Sequence, residues 1–286
     1  MKIFILIGFE YQNVDGTDNL PGTIVDLYRM YKLAMAAQFD QIMVITDIQR
    51  DRVVSKYHPL IMDEVIDSGV LDFIETTKVR GHYYYCTSSL ELTRLLQNRL
   101  ILMTKIAIYY TGHGLKDSLV LPTSGDRLPI SRFRRLIVDQ VGSIEIIIIF
   151  DCCQSSSFNL PFRYHYQPIN DRLRYTVSGP QPSFCKQKIT VIASTLSDEQ
   201  ALANKRGSYF TFALSTVLAN GTLGLFDLCK DLYNFSATHN QLLTIYTSFP
   251  NIKHLWSWMV NPSFNSAYTG KYHIIITRNN LQVCPL

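Results

Sequence analysis

Two short segments of this chain carry residues that can do covalent chemistry. One is Tyr110-Thr-Gly-His-Gly114, which ends the apolar run Lys105-Ile-Ala-Ile-Tyr-Tyr110. The other is Phe150-Asp-Cys-Cys-Gln-Ser155, which follows the β-branched run of residues 146 to 149. Each reads as a buried strand that stops abruptly in polar and small residues. Were the two strands parallel neighbours, their carboxyl ends would set an imidazole beside a thiol, the minimal equipment of a cysteine hydrolase. Gly112 and Gly114 let the backbone bend tightly around His113 and leave its amides free to face a ligand. A buried cysteine is more often a small hydrophobe and a lone histidine a hydrogen-bonded passenger. The pairing of both with strand ends outweighs that blander interpretation.

The elements that must position these groups follow from hydrophobic periodicity. Strand-like runs recur at 2–9, 41–46, 104–110, 144–150, 189–194 and 272–277, and helical periodicity fills most of the gaps. Leu20 to Gln38, Ser88 to Leu100, Ser131 to Val141, Ser208 to Leu218 and Gly224 to Phe235 are the expected helices. Ser and Thr caps open the second of them, and Glu91 lies in its first turn. Alternating strands and helices imply an α/β fold, a mostly parallel sheet with helices on both faces. Functional groups then gather at the strands' carboxyl ends, where His113 and Cys153 lie. Ser155 to Lys188, rich in Ser, Pro, Arg and Gln, is expected to be a long exposed loop.

Composition narrows the function. The 286 residues are 47% hydrophobic and 17% charged, enough for one sizeable core. A net charge of +4, scattered along the chain, argues against nucleic acid as an obligatory partner. The six cysteines form no CxxC pair, so free thiols in a reducing, cytoplasmic compartment are expected. No apolar run approaches the ~18 residues of a membrane span, and the amino-terminal run reads as a first strand rather than a leader. Adjacent Cys152 and Cys153 would chelate poorly together, and no metal site is expected from them.

The two chemical motifs resemble the histidine and cysteine motifs of metacaspases, a family of caspase-like cysteine peptidases. Other segments resemble that family in the same order. Leu20-Pro-Gly-Thr-Ile-Val-Asp26 is similar to the segment opening its first helix, and Asn159-Leu-Pro-Phe162 to the one after its cysteine. Ala193-Ser-Thr-Leu-Ser-Asp-Glu-Gln-Ala201 and Gly207-Ser-Tyr-Phe-Thr-Phe-Ala213 are similar to its small-subunit strand and following helix. The matches span about residues 2 to 250.

The resemblance implies a caspase-like (caspase–hemoglobinase) fold with a six-stranded sheet. It divides the chain into a large-subunit-like part (1–154), an exposed loop (155–188) and a small-subunit-like part (189–286). Cys153, not Cys152, would be the nucleophile, with His113 as base and acid. The backbone amides of Cys153 and Gly114 would form the oxyanion hole. Asp26, Thr111 and Asp151 would line an acidic pocket for Arg or Lys in a protein or peptide substrate. Gln154 and Ser156 depart from the family's usual histidine and glycine. The family's acid-rich calcium loop is thinned to Asp117 and Asp126, so no cofactor and little calcium dependence are expected. Metacaspases are typically monomers, and programmed cell death is among their attributed processes. Two further readings stay open: a caspase-like interaction module with little activity, and a small-molecule hydrolase or transferase of another α/β type.

Overall fold

A computed structural model describes residues 1–12, 14–49, 68–100, 103–139, 145–157, 164–169, 172–177, 187–196, 200–219, 232, 243–248, 272–276 and 281–285. Its centre is a run of six parallel strands: β1 (Lys2–Gly8), β2 (Gln41–Thr46), β3 (Tyr83–Tyr85), β4 (Lys105–Thr111), β8 (Glu145–Asp151) and β11 (Lys188–Ala193). Their order across the sheet is β11-β8-β4-β1-β2-β3. They are buried on both faces, which is why they read as nearly continuous Ile, Val and Tyr runs rather than alternating ones.

Alternation within each strand still divides the core. Phe4, Leu6, Ala107, Tyr109, Ile147 and Ile149 face one layer, where they meet α1 (Thr23–Ala36), α2 (Gly69–Val79) and α5 (Tyr209–Ala219). Ile5, Ile7, Ile108, Tyr110, Ile148 and Phe150 face the other, with α3 (Ser89–Leu100) and α4 (Ile130–Arg134). The α/β class, the parallel sheet and the helices on both faces are therefore as expected. Three short strands, β5 (Gly114–Leu115), β6 (Ser118–Val120) and β7 (Arg127–Pro129), form a separate small sheet beyond β4. Two more, β12 (Ala203–Asn204) and β13 (Gly207–Ser208), pair antiparallel just before α5.

Register is the feature that matters for the site. In the β1–β4 pair Gly8 lies opposite Thr111, and in the β4–β8 pair Thr111 lies opposite Asp151. The three strands thus end level, and the loops beyond them emerge side by side.

The structure departs from expectation in several places. The sixth parallel strand is β3, a tyrosine triplet too short to register as a strand by pattern, and not the 272–277 run. That run holds β15 (Tyr272–Ile276), which pairs with β16 (Leu281–Pro285) at the far edge of the sheet. Helix α2 is unexpected, although Val70, Phe73, Ile74 and Thr77 carry the spacing of a buried helical face. The expected helix from Ser131 is a single α-turn continued by a π-helical stretch, Arg135–Asp139. The expected helix at 224–235 falls almost wholly outside the described residues.

The stretch expected as an exposed loop contains two strands, β9 (Tyr164–Ile169) and β10 (Arg172–Val177), which form an antiparallel hairpin. The hairpin joins the main sheet through β14 (Thr244–Thr247), which itself pairs antiparallel with β11. Pro168 and the density of charge disguise these strands, since a proline within a run ordinarily demotes it. Arg172 and Arg174 therefore sit in a paired strand rather than in an exposed loop. Paired backbone does not thread into a protease cleft. Limited trypsin digestion read by mass spectrometry is expected to leave the bonds after Arg172 and Arg174 intact while more exposed sites are cut. Early cleavage at either would show that the hairpin is not formed.

Candidate active site

His113 leaves the end of β4 on a loop held by two phenols. The Tyr11 hydroxyl accepts the His113 N–H at 2.8 Å and donates to the Val120 carbonyl at 2.8 Å. The Tyr110 hydroxyl donates to the His113 carbonyl at 2.8 Å and lies 3.1 Å from the Tyr11 hydroxyl. Gly112 is required by this arrangement. A Cβ there would stand 2.6 Å from the Tyr11 oxygen and 2.8 Å from the Tyr110 oxygen.

The imidazole has a defined orientation. Its Nε2 lies 2.6 Å from the main-chain carbonyl of Asp18. A carbonyl can only accept, so Nε2 is assigned the proton and Nδ1 keeps a free lone pair. That is the tautomer a general base needs. The Tyr11 ring packs against the imidazole, with centroids 4.6 Å apart.

Cys153 leaves the end of β8 on the neighbouring loop. Gly114, next after His113, lies directly on that loop: a Cβ at Gly114 would collide with the Cys153 carbonyl and stand 2.8 Å from Cys152 Sγ. The two loops are therefore in backbone contact, and the structure brings together the segments that the sequence pairs. Cys153 is partly exposed, and the Ala201 N–H donates to its sulfur at 3.4 Å. Cys152 is fully buried. Its burial, then the charges of Asp151 and Cys153, push its thiol well above the ordinary range. It makes a poor thiolate.

Thr195 and Ser155 fix the cysteine loop from the other side. Thr195 Oγ1 donates to the Cys152 carbonyl at 3.0 Å and accepts the Ser155 N–H at 3.0 Å. In return Ser155 Oγ accepts the Thr195 N–H at 3.2 Å, and the Thr195 carbonyl accepts the Ser156 N–H at 3.2 Å. Both hydroxyl residues are essentially inaccessible to solvent. Gln154, between Cys153 and Ser155, adopts φ 55, a left-handed turn that swings the chain back toward β11.

Asp26 and Asp151 meet beneath the site. Asp26 lies in the first turn of α1, and both its oxygens face the Ser208 N–H, at 3.0 and 2.8 Å. Arg29, one turn on, approaches Asp26 Oδ1 at 3.4 Å and donates to the Arg206 carbonyl at 2.7 Å. Asp151 Oδ2 accepts the Thr211 hydroxyl at 2.6 Å. The hydroxyls of Ser208, Ser194 and Tyr109 surround the same carboxyl. None of them meets hydrogen-bonding geometry with Oδ1, which is buried and unpartnered among the described residues.

Burial raises the pKa of both acids, and for Asp26 the charge of Asp151 adds to it. Arg29 and the amide end of α5 oppose that rise, since a helix N-terminus favours negative charge. Thr111 is buried opposite Asp151 in the strand register.

Several of these contributors carry no sequence signature. Asp18 acts through its carbonyl and Ala201 through its amide, which any residue supplies. Tyr11, Tyr110, Ser155, Thr195 and Arg29 are of ordinary type at ordinary positions. Asp126, in the turn between β6 and β7, accepts the Ser89 N–H and hydroxyl at 2.7 Å each, capping α3.

No protein-family model matches this sequence, and no curated protein matches it by sequence. Among solved structures, caspase-1 from Spodoptera frugiperda superposes with a TM-score of 0.54 over 85% of this chain and 85% of that one. The fold is caspase-like. The sequence identity to that structure is 12%, so the likeness is one of architecture. Within the caspase-like fold, His113 and Cys153 occupy adjacent strand ends.

Thr195→Val keeps the shape of the side chain but strips the Ser155 N–H and the Cys152 carbonyl of their partner. Leaving such a buried donor unsatisfied is expected to cost about 1–3 kcal/mol, read by urea unfolding. Thr195→Ser should recover most of the loss. Equal stability of Thr195→Val and wild type would show that Thr195 does not hold the cysteine loop.

Proposed function

We propose that this chain is a cysteine endopeptidase of the metacaspase type, cutting peptide bonds after Arg or Lys. The observation that carries the proposal is the orientation of His113: its Nε2–H engages the Asp18 carbonyl, on a loop packed against the one bearing Cys153. In this reading Nδ1 takes the Cys153 proton, and the thiolate attacks the substrate carbonyl. The amides of Cys153 and Gly114 receive the developing oxyanion. The protonated imidazole then gives its proton to the leaving amine as the C–N bond breaks. Water, deprotonated by the same Nδ1, hydrolyses the thioester and restores the thiol.

Selection for a basic side chain rests on Asp26, Thr111 and Asp151. A peptide's guanidinium or ammonium is costly to bury unless an opposite charge receives it. Asp26 already faces Arg29 and the Ser208 amide, which leaves Asp151, with its unpartnered Oδ1, as the acid best placed to receive the substrate. That internal pairing of Asp26 is also what favours the second reading, a caspase-like interaction module with little activity. A monomer fits the edge of β14, which β9 covers.

Profiling on fluorogenic peptides separates these readings. Peptides ending in Arg or Lys are expected to be cut. Cys153→Ala and His113→Ala should abolish cleavage, and Cys152→Ala should keep most of it. Asp151→Ala should lose most activity while its thiol stays alkylatable. Burial raises both acids and the ionised form binds the cation, so KM for Arg peptides should fall as pH rises. Faster cleavage after Asp than after Arg would overturn the specificity, and no cleavage of any peptide would favour the interaction module.

Asp126 is committed to capping α3, which leaves Asp117 with little company for a hard cation. Millimolar calcium is therefore expected to change the rate less than about tenfold. A larger rise would show that calcium ligands are drawn from elsewhere in the chain.

A further inference from the structure

Tyr11 makes more contacts to the histidine loop than packing requires. Its ring lies against the His113 imidazole, and its hydroxyl accepts the His113 amide. The same hydroxyl donates to Val120, whose own N–H bonds the His113 carbonyl at 3.1 Å. One side chain therefore touches both the backbone and the ring of the residue that must transfer the proton. Tyr11 is 1% exposed, so nothing in solvent competes for these bonds.

Tyr11 is itself held in an unusual way. Its φ is 58, the left-handed region that bulky residues rarely adopt. Asp47, just beyond the end of β2, grips that turn with both oxygens. Oδ1 accepts the Glu10 N–H at 2.8 Å and Oδ2 accepts the Tyr11 N–H at 2.9 Å. The strained turn and the two-pronged carboxylate together aim one ring at the imidazole.

We propose that Tyr11, braced by Asp47, is the positioning residue for His113, setting the plane and depth of the imidazole relative to Cys153. The proposal rests on His113 being the proton-transfer group of the activity proposed above. Its physical basis is that orientation errors of about 1 Å cost on the order of a hundredfold in rate. The Asp18 carbonyl fixes one ring nitrogen, leaving rotation about the line from that carbonyl through the ring. The Tyr11 ring, packed at a tilt against the imidazole, blocks that rotation, and its hydroxyl sets where the main chain begins. Tyr11 is buried, so it acts on His113 from inside the protein.

The test compares Tyr11→Phe, which keeps the ring and removes the hydroxyl, with Tyr11→Leu, which removes both, and Asp47→Asn. Turnover of an Arg-ending peptide per titrated Cys153 is read beside KM. So is the His113 ring resonance in protein carrying labelled histidine, assigned with His113→Ala. Tyr11→Phe is expected to lower kcat by about ten- to a hundredfold with KM within about threefold. Tyr11→Leu should lower kcat further and shift the His113 resonance by removing the ring-current field. Asp47→Asn should lower kcat in the same sense by a smaller factor, and it stands in for the tyrosine variants should those not fold.

Wild-type kcat in Tyr11→Phe, or an unmoved His113 resonance in Tyr11→Leu, would overturn the proposal. So would variants that lose only thermal stability while each folded molecule turns over normally. Should wild type cleave no Arg or Lys peptide, the proposed activity fails. The His113 resonance in Tyr11→Phe, where the ring is kept, then decides the matter: a moved resonance supports the orienting role of the Tyr11 hydroxyl, and an unmoved one overturns it.

Discussion

Everything at this site depends on parallel strands ending in register. Gly8, Thr111 and Asp151 stand level across β1, β4 and β8. Each of these strands gives way to a loop of the candidate site, bearing Tyr11 after β1, His113 after β4 and Cys153 after β8. The row continues on both sides, with Asp47 after β2 and Thr195 after β11. Hydrogen bonds link the loops, from Asp47 to Tyr11 to His113 and from Thr195 to the cysteine loop. A slip of one residue in any pair would swap the Ile and Tyr side chains between the two core layers, each packed for its own set. The hydrophobic core thus enforces the alignment on which the thiol and imidazole depend, and no bond between those two groups has to supply it.

The second constraint is electrostatic. Two buried carboxylates side by side are unfavourable, and burial pushes both toward the protonated state. The fold offsets this with Arg29 from α1, the Ser208 amide from the end of β13 and the Thr211 hydroxyl from the start of α5. These contacts also tie α1 to β13 and the start of α5. Asp26 therefore does structural duty whatever it contributes to a substrate pocket. Asp151 retains an oxygen with no such duty, which makes it the sharper candidate for recognising a cation.

How far the residues announce this arrangement differs from part to part. The buried strands are plain, because parallel strands covered on both faces must be apolar throughout. The pairing of His113 with Cys153 comes from their places just past two such strands, and the meeting of Asp26 with Asp151 from the family resemblance. The bracing is hidden for physical reasons. Asp18 and Ala201 act through main-chain atoms common to all residues. Tyr11 needs a left-handed turn that no glycine or asparagine marks. Thr195 and Ser155 become a lock only once β11 lies beside β8. The β9–β10 hairpin is obscured by charge and proline, and β3 by its length of three residues. Helix α2 is a different case, since its spacing is present to be read.

The most direct measurement of the central claim is covalent capture at the thiol. The protein would be treated with a peptide chloromethyl ketone bearing arginine next to the reactive group, and the modified residue located by tandem mass spectrometry. One adduct is expected, on Cys153, formed faster than with the aspartate analogue, slowed strongly in His113→Ala and blocked by excess Arg peptide. An adduct on Cys152 or Cys86, or equal labelling of Cys153 with and without His113, would contradict the pairing of thiol and imidazole.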